Sequence, residues 1–126
     1  MTDFAFVFPG QGSQAVGMLD AWGEHPAVRA TLEEASSALG ADVGELIHTG
    51  PKERLNLTVN TQIVMLVAAI ACWRAWRAEG GATPAALAGH SLGEYSALVA
   101  AEALTLTDAV LLVRHRAQAM QDAVPV

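Results

Sequence analysis

Residues 85–89 form a short apolar stretch that runs directly into Gly89-His90-Ser91-Leu92-Gly93, and a helix-forming segment, 93–103, follows at once. A short apolar run bounded by turn signals reads as a buried strand. A strand, a tight turn between two glycines and a helix make an elbow. That device requires an α/β arrangement, with the helix packing back on the strand it leaves. A serine at the apex of such a turn is held clear of the sheet. Its hydroxyl is a weak nucleophile at neutral pH and needs a base and oxyanion donors. The backbone N–H of Leu92 and the N-terminus of the following helix lie where an oxyanion would develop. Ser91 is therefore the candidate nucleophile. The competing reading of so short a pattern is a plain helix cap.

A second strand is expected at Phe4-Ala5-Phe6-Val7-Phe8, which stops at Pro9-Gly10 and opens into the loop Gly10-Gln11-Gly12-Ser13-Gln14. Residues 26–39 carry Val28, Leu32, Ala35 and Leu39 at helical spacing, with Gly40 suited to the C-terminal cap. A short helix is expected over 42–47, with Thr49-Gly50-Pro51 as a loop. Asn60 is read as the N-cap of a long helix over 61–79, apolar nearly all round in its first half and ended by Gly80-Gly81. Thr107 is read as the cap of a last helix over 108–123. Strands alternating with helices predict an α/β fold with a mainly parallel sheet and flanking helices, although only two strands are evident.

Composition narrows the function classes. The 126 residues are 52% hydrophobic and 16% charged, and the formal net charge is −6. An acidic chain with seven scattered basic residues is a poor match for nucleic acid. The longest apolar run, 63–73, is shorter than the ~20 residues of a membrane span and reads as a buried helix. The single cysteine, Cys72, has no intrachain disulfide partner and is expected to pack in the core. The first ten residues contain Asp3 and no basic stretch of the kind that opens a secretory signal. A soluble, cytoplasmic protein is expected. His25, His48 and His115 are far apart in sequence with no ligand spacing, so no metal site is expected, and no cofactor is expected either.

Three other features bear on chemistry. Gly10-Gln11-Gly12-Ser13-Gln14-Ala15 matches the Gly-x-Gly-x-x-Ala dinucleotide fingerprint, with Glu33 and Glu34 at the distance of the ribose-binding acid, but those acids sit inside a helical pattern. Otherwise this loop faces the elbow and contributes backbone N–H groups to it. Leu112, Arg116 and Met120 line one helix face. Arg116 either snorkels there or captures a carboxylate with its guanidinium fork. Gln62 is more simply a solvated or capping amide, and His90 is adjacent to Ser91 but is expected to point away from it.

The order and wording of these motifs resemble the malonyl-CoA:acyl carrier protein transacylases of bacterial fatty acid synthesis. The resemblance is carried by Phe6-Val7-Phe8-Pro9-Gly10-Gln11-Gly12-Ser13-Gln14, by Asn60-Thr61-Gln62, by Gly89-His90-Ser91-Leu92-Gly93-Glu94-Tyr95-Ser96-Ala97-Leu98, and by Arg116 with Met120-Gln121 and Ala123-Val124-Pro125. It implies an α/β-hydrolase-like acyltransferase fold, of which residues 1–126 would be the N-terminal part of the large subdomain, ending before a ferredoxin-like subdomain. It implies a ping-pong transfer of malonyl from malonyl-CoA, through a malonyl ester on Ser91, to the pantetheine thiol of acyl carrier protein. The backbone N–H groups of Gln11 and Leu92 match the family's oxyanion hole. Arg116 matches the arginine that binds the malonyl carboxylate, and Gln62 a glutamine lining that pocket. A related acyltransferase subunit of malonate decarboxylation has similar loops, and Gly89-His90-Ser91 fits the fatty-acid enzymes better. Ile63 stands where family members often have proline. The family's base is a histidine far downstream of the serine, and the sequence stops at Val126 before reaching it, so residues 1–126 alone are expected to be nearly inactive.

Overall fold

The computed structural model describes residues 3–124; Pro125, the end of the last motif, lies outside the described residues. Ala5–Phe8 (β1) and Ala86–Gly89 (β2) pair in parallel, from Ala5 opposite Ala86 to Phe8 opposite Gly89. They form a two-stranded sheet among the described residues. Parallel neighbours need a long crossover. Here it consists of Pro26–Leu39 (α1), Val43–Thr49 (α2), Lys52–Leu55 (α3) and Thr58–Ala78 (α4). Gly93–Ala100 (α5) and Leu106–Ala123 (α6) follow β2. The expected α/β class and parallel pairing are what the structure has.

The centre of the molecule is α4. It is long and apolar enough, by length and composition, to cross a bilayer, but its apolar positions are spent inside the protein. Val64, Leu66, Val67 and Ile70 are fully buried in one core with Ile47, Leu55, Val110 and Val113. It packs against α1, α5 and α6, which is why its first half is apolar on every side. The sheet joins this core through aromatics. The Phe6 ring meets Trp73 edge-on at 5.2 Å and Trp76 at 5.5 Å.

Helix α1 has the predicted bounds. His25 caps it through an Nδ1 that accepts from Ala27 N–H, and Gly40 closes it in the left-handed conformation, φ 68°. Helix α2 begins on Asp42, whose carboxylate accepts from Glu45 N–H at 2.9 Å.

The structure corrects four expectations. Helix α4 starts at Thr58, so Asn60 is inside the first turn and not the cap. The side chains of that turn are used instead to tie α3: Asn60 Nδ2 donates to the Arg54 carbonyl and Thr61 Oγ1 to the Leu55 carbonyl. Those bonds satisfy carbonyls that the end of α3 leaves open. Thr105, not Thr107, caps α6, its hydroxyl accepting from Asp108 N–H at 3.1 Å. Helix α5 ends at Ala100, and the chain turns through Glu102 at φ 63°. Cys72 is exposed, not packed in the core. Its face of α4 looks toward the free edge of β1, where Phe6, Val7, Met65, Ala69 and Trp73 share with it an apolar cavity of about 260 Å³.

Candidate active site

Parallel strands end on the same side of a sheet, so the loops that leave them meet there. The loop after β1 and the elbow after β2 are thus neighbours by topology. At the elbow Ser91 has φ 55°, a left-handed conformation that costs a residue with a Cβ about 1–2 kcal/mol. The flanking glycines permit the turn. A Cβ on Gly89 would collide with the Gly93 carbonyl, and one on Gly93 with the Phe8 carbonyl. Both bulges would fall where strand and helix touch. Gly93 N–H donates to the His90 carbonyl at 2.9 Å and Glu94 N–H to that of Ser91 at 3.0 Å, so α5 begins at the serine. Ser91 is exposed at the apex. Ser96, the other serine of the motif, is fully buried with no partner for its hydroxyl.

The loop after β1 is held against the elbow. A Cβ on Gly10 would lie 3.1 Å from the His90 carbonyl oxygen and 3.6 Å from Ser91 Cβ. Gln14 braces the loop: its Oε1 accepts from Gly12 N–H at 2.7 Å and its Nε2 donates to Asn56 Oδ1 at 2.9 Å. Gln11, between these anchors, is exposed. Among the described residues, neither Gln11 N–H nor Leu92 N–H donates to another backbone group. Leu92 directly follows Ser91 at the start of α5, and Gln11 directly follows Gly10, the residue that approaches Ser91 from the other loop.

One side chain, Arg116, reaches the serine, and three others from α4, α5 and α6 are linked around it. Arg116 of α6 donates through one terminal nitrogen to Gln62 Oε1 at 2.6 Å and through the other to Ser91 Oγ at 3.3 Å. Its guanidinium carbon lies 5.6 Å from the centre of the Tyr95 ring, a cation–π distance. Gln62 is fully buried, and its Nε2 donates to Met120 Sδ at 3.3 Å. The plain reading of Gln62 as a solvated or capping amide does not hold. Nor does snorkelling describe Arg116, whose head group is turned inward and fixed from three sides. A guanidinium held this way 3.3 Å from Ser91 Oγ is chemically able to pair with an anionic group.

Of the histidines, His90 lies at the elbow, its Nδ1 3.9 Å from where a Cβ on Gly10 would be, while two others are paired elsewhere. His25 Nε2 bonds Glu79 and His48 Nδ1 bonds Asp20, each at 2.7 Å. No imidazole hydrogen-bonds Ser91 among the described residues. No group of three or more His, Cys, Asp or Glu side chains is gathered there to hold a metal. The dinucleotide fingerprint lacks its context. Glu33 and Glu34 are in α1, not at a strand end, Glu34 is paired with Arg74 at 2.7 Å, and the Gly10–Ala15 loop leads into turns instead of a helix. Tyr95, Gln14 and Met120 were not assigned roles from sequence. The signals available were Tyr95 one turn beyond Ser91 and Met120 one turn beyond Arg116.

The fold, with its strand-turn-helix elbow, is that of an acyl transferase domain, and comparison with known proteins agrees. Residues 5–126 match the acyl transferase domain family, and the chain belongs to it. It is 56% identical, over 99% of its length, to the malonyl CoA-acyl carrier protein transacylase of Salmonella typhimurium. The crystal structure of acyl-carrier-protein S-malonyltransferase from Burkholderia pseudomallei superposes with a TM-score of 0.95 at 66% identity over 99% of the chain. A type II PKS acyl-carrier protein in complex with its malonyl-transacylase contains a similar chain, with a TM-score of 0.93 at 50% identity over 98%. The chain spans 41% of the first two relatives and 40% of the third.

Proposed function

We propose that the protein to which these residues belong transfers a malonyl group from malonyl-CoA to the pantetheine thiol of acyl carrier protein, in fatty acid synthesis. The observation that carries this reading is the Arg116 fork, 3.3 Å from Ser91 Oγ and steadied by Gln62. A nucleophile alone suits any acyl group, whereas a fixed guanidinium beside it suits an acyl group ending in a carboxylate. The names of the relatives support the same substrate and carrier.

In this mechanism the thioester carbonyl of malonyl-CoA lies over Ser91, with its distal carboxylate on Arg116. Ser91 Oγ attacks the carbonyl carbon as its proton passes to a base. The family resemblance assigns that base to a histidine further along the protein. The N–H groups of Gln11 and Leu92 hold the oxyanion. Collapse breaks the carbon–sulfur bond, the coenzyme A thiolate takes the proton, and a malonyl ester remains on Ser91. The pantetheine thiol then attacks that ester by the same steps in reverse. Neither step needs a metal or redox cofactor. The soluble, cytoplasmic setting expected from the sequence belongs to the same proposal.

The test uses the full-length protein, with malonyl transfer to acyl carrier protein followed as product. Ser91→Ala is expected to lower kcat/KM by about 10³-fold or more. Arg116→Ala is expected to lower it for malonyl-CoA by roughly 10- to 100-fold and to favour acetyl-CoA in relative terms. Full activity in Ser91→Ala overturns the reading.

A further inference from the structure

Gln62 presents a problem in hydrogen-bond accounting. Its amide is fully buried, and a buried amide left without partners costs about 1–3 kcal/mol. The acceptor half is satisfied by Arg116 at 2.6 Å. The donor half faces one polar atom among the described residues, the thioether sulfur of Met120 at 3.3 Å. Sulfur accepts but has no proton to donate, and the guanidinium donates but cannot accept. The two partners therefore agree on a single orientation: Oε1 toward Arg116, NH2 toward Met120. The reverse orientation would set donor against donor at the guanidinium. Met120 is itself half-exposed on α6, one helical turn beyond Arg116. An apolar helix position of that kind asks for no methionine on packing grounds.

We propose that Met120 is a positioning residue for substrate selection. Its sulfur fixes the buried Gln62 amide, and Gln62 in turn holds Arg116 with a free donor edge beside Ser91. Tyr95 supports the same head group from its ring face. The inference rests on the malonyl reading above, because the fork it tunes is the one assigned to the malonyl carboxylate. Loss of the sulfur acceptor leaves Gln62 NH2 unpaired, so the amide turns to find another partner. Arg116 then loses the acceptor that aims it. The reaction at Ser91 itself is not addressed by Met120.

The experiment compares Met120→Leu with the parent in the full-length protein, using malonyl-CoA and acetyl-CoA as alternative donors. Leucine for methionine nearly conserves volume and removes only the acceptor, and an unchanged Tm verifies folding. The expected result is a three- to tenfold rise in KM for malonyl-CoA, about the weight of one hydrogen bond. A smaller change in kcat and a matching fall in the malonyl-to-acetyl preference are expected with it. Met120→Gln, which restores an acceptor on a side chain of similar length, is expected to bring KM back within about twofold. On a Gln62→Leu background Met120→Leu is expected to add nothing, because the amide it steadies is gone. Equal losses with both donors, no rescue by glutamine, or additive losses in the double variant each overturn the proposal. Ser91→Ala run alongside separates the two claims. If it retains malonyl transfer, the underlying reading fails. If it is inactive while Met120→Leu keeps the parent's KM and preference, only the role of Met120 fails.

Discussion

The left-handed Ser91 is the strained residue on which the site turns, and its strain is held by two glycines that have no room for a side chain. A Cβ on Gly93 would strike the backbone carbonyl of Phe8, which is fixed by its place in the sheet and cannot swing aside like a side chain. Gly93→Ala is therefore expected to destabilise the protein by about 3 kcal/mol or more, the scale of overpacking at a rigid contact. Urea unfolding of the full-length variant measures this, and a loss below about 1 kcal/mol would show that strand and helix can separate without consequence. This residue logic was legible in the sequence, since a strand, two glycines and a helix leave few alternatives for what lies between them. The Gln11 loop was legible for the same reason, as it follows the other strand. The setting of Arg116 was not. Periodicity placed it on a helix face but could not say that Gln62, 54 positions earlier, would turn its amide inward to meet it. Nor could it show Tyr95 beneath the guanidinium, because contacts between helices depend on packing angles that no local pattern encodes.

At the scale of elements, most helices and both strands followed from apolar spacing and punctuation, while the first turns of α4 and α6 did not. The α6 start shows why. Thr105 and Thr107 are both capping residues by type, but Thr105 has Asp108 three positions on, whose N–H its hydroxyl receives. Thr107 lies inside the helix. Thr105→Ala should cost about 1 kcal/mol and Thr107→Ala less than about 0.5 kcal/mol, because only the first loses a cap. Chemical denaturation of the two variants distinguishes them, and equal losses would contradict the assignment. The α4 start was missed for a related cause. Asn60 and Thr61 turn their polar side chains to the end of α3, Thr61 also reaching the Leu57 carbonyl at 3.0 Å, and neither accepts from a backbone N–H as a cap would. A helix as short as α3 has no periodicity to read.

On the scale of the whole molecule, the helices and the sheet are unequally complete. Helices α1, α4 and α6 bury a continuous core around α4, with Val64, Leu66, Val67, Val110 and Val113 fully enclosed. The sheet has only two strands among the described residues, and parallel sheets are ordinarily covered on both faces and extended at their edges. Among the described residues no strand pairs with the far side of β1. Val7 is 69% exposed, and the apolar cavity lined by Phe6, Met65, Ala69, Cys72 and Trp73 lies beside it. An uncovered strand edge next to apolar surface is a template for pairing with another chain. Residues 1–126 purified alone are therefore expected to show the helical circular dichroism of the core together with binding of a hydrophobic dye and concentration-dependent association. Val7→Lys places a charge on the exposed face of that edge strand and should reduce both dye binding and association without loss of helix. Sedimentation velocity across a concentration series measures the association. A monodisperse monomer with no dye binding would mean that the edge is closed by a rearrangement of the chain. The same preparation is expected to transfer malonyl groups very slowly, since no imidazole reaches Ser91 among the described residues and the serine keeps only its oxyanion donors and Arg116. Rates equal to those of the full-length protein would require a base within residues 1–126 and would send the assignment of that role back to His90, the one histidine adjacent to the serine in sequence.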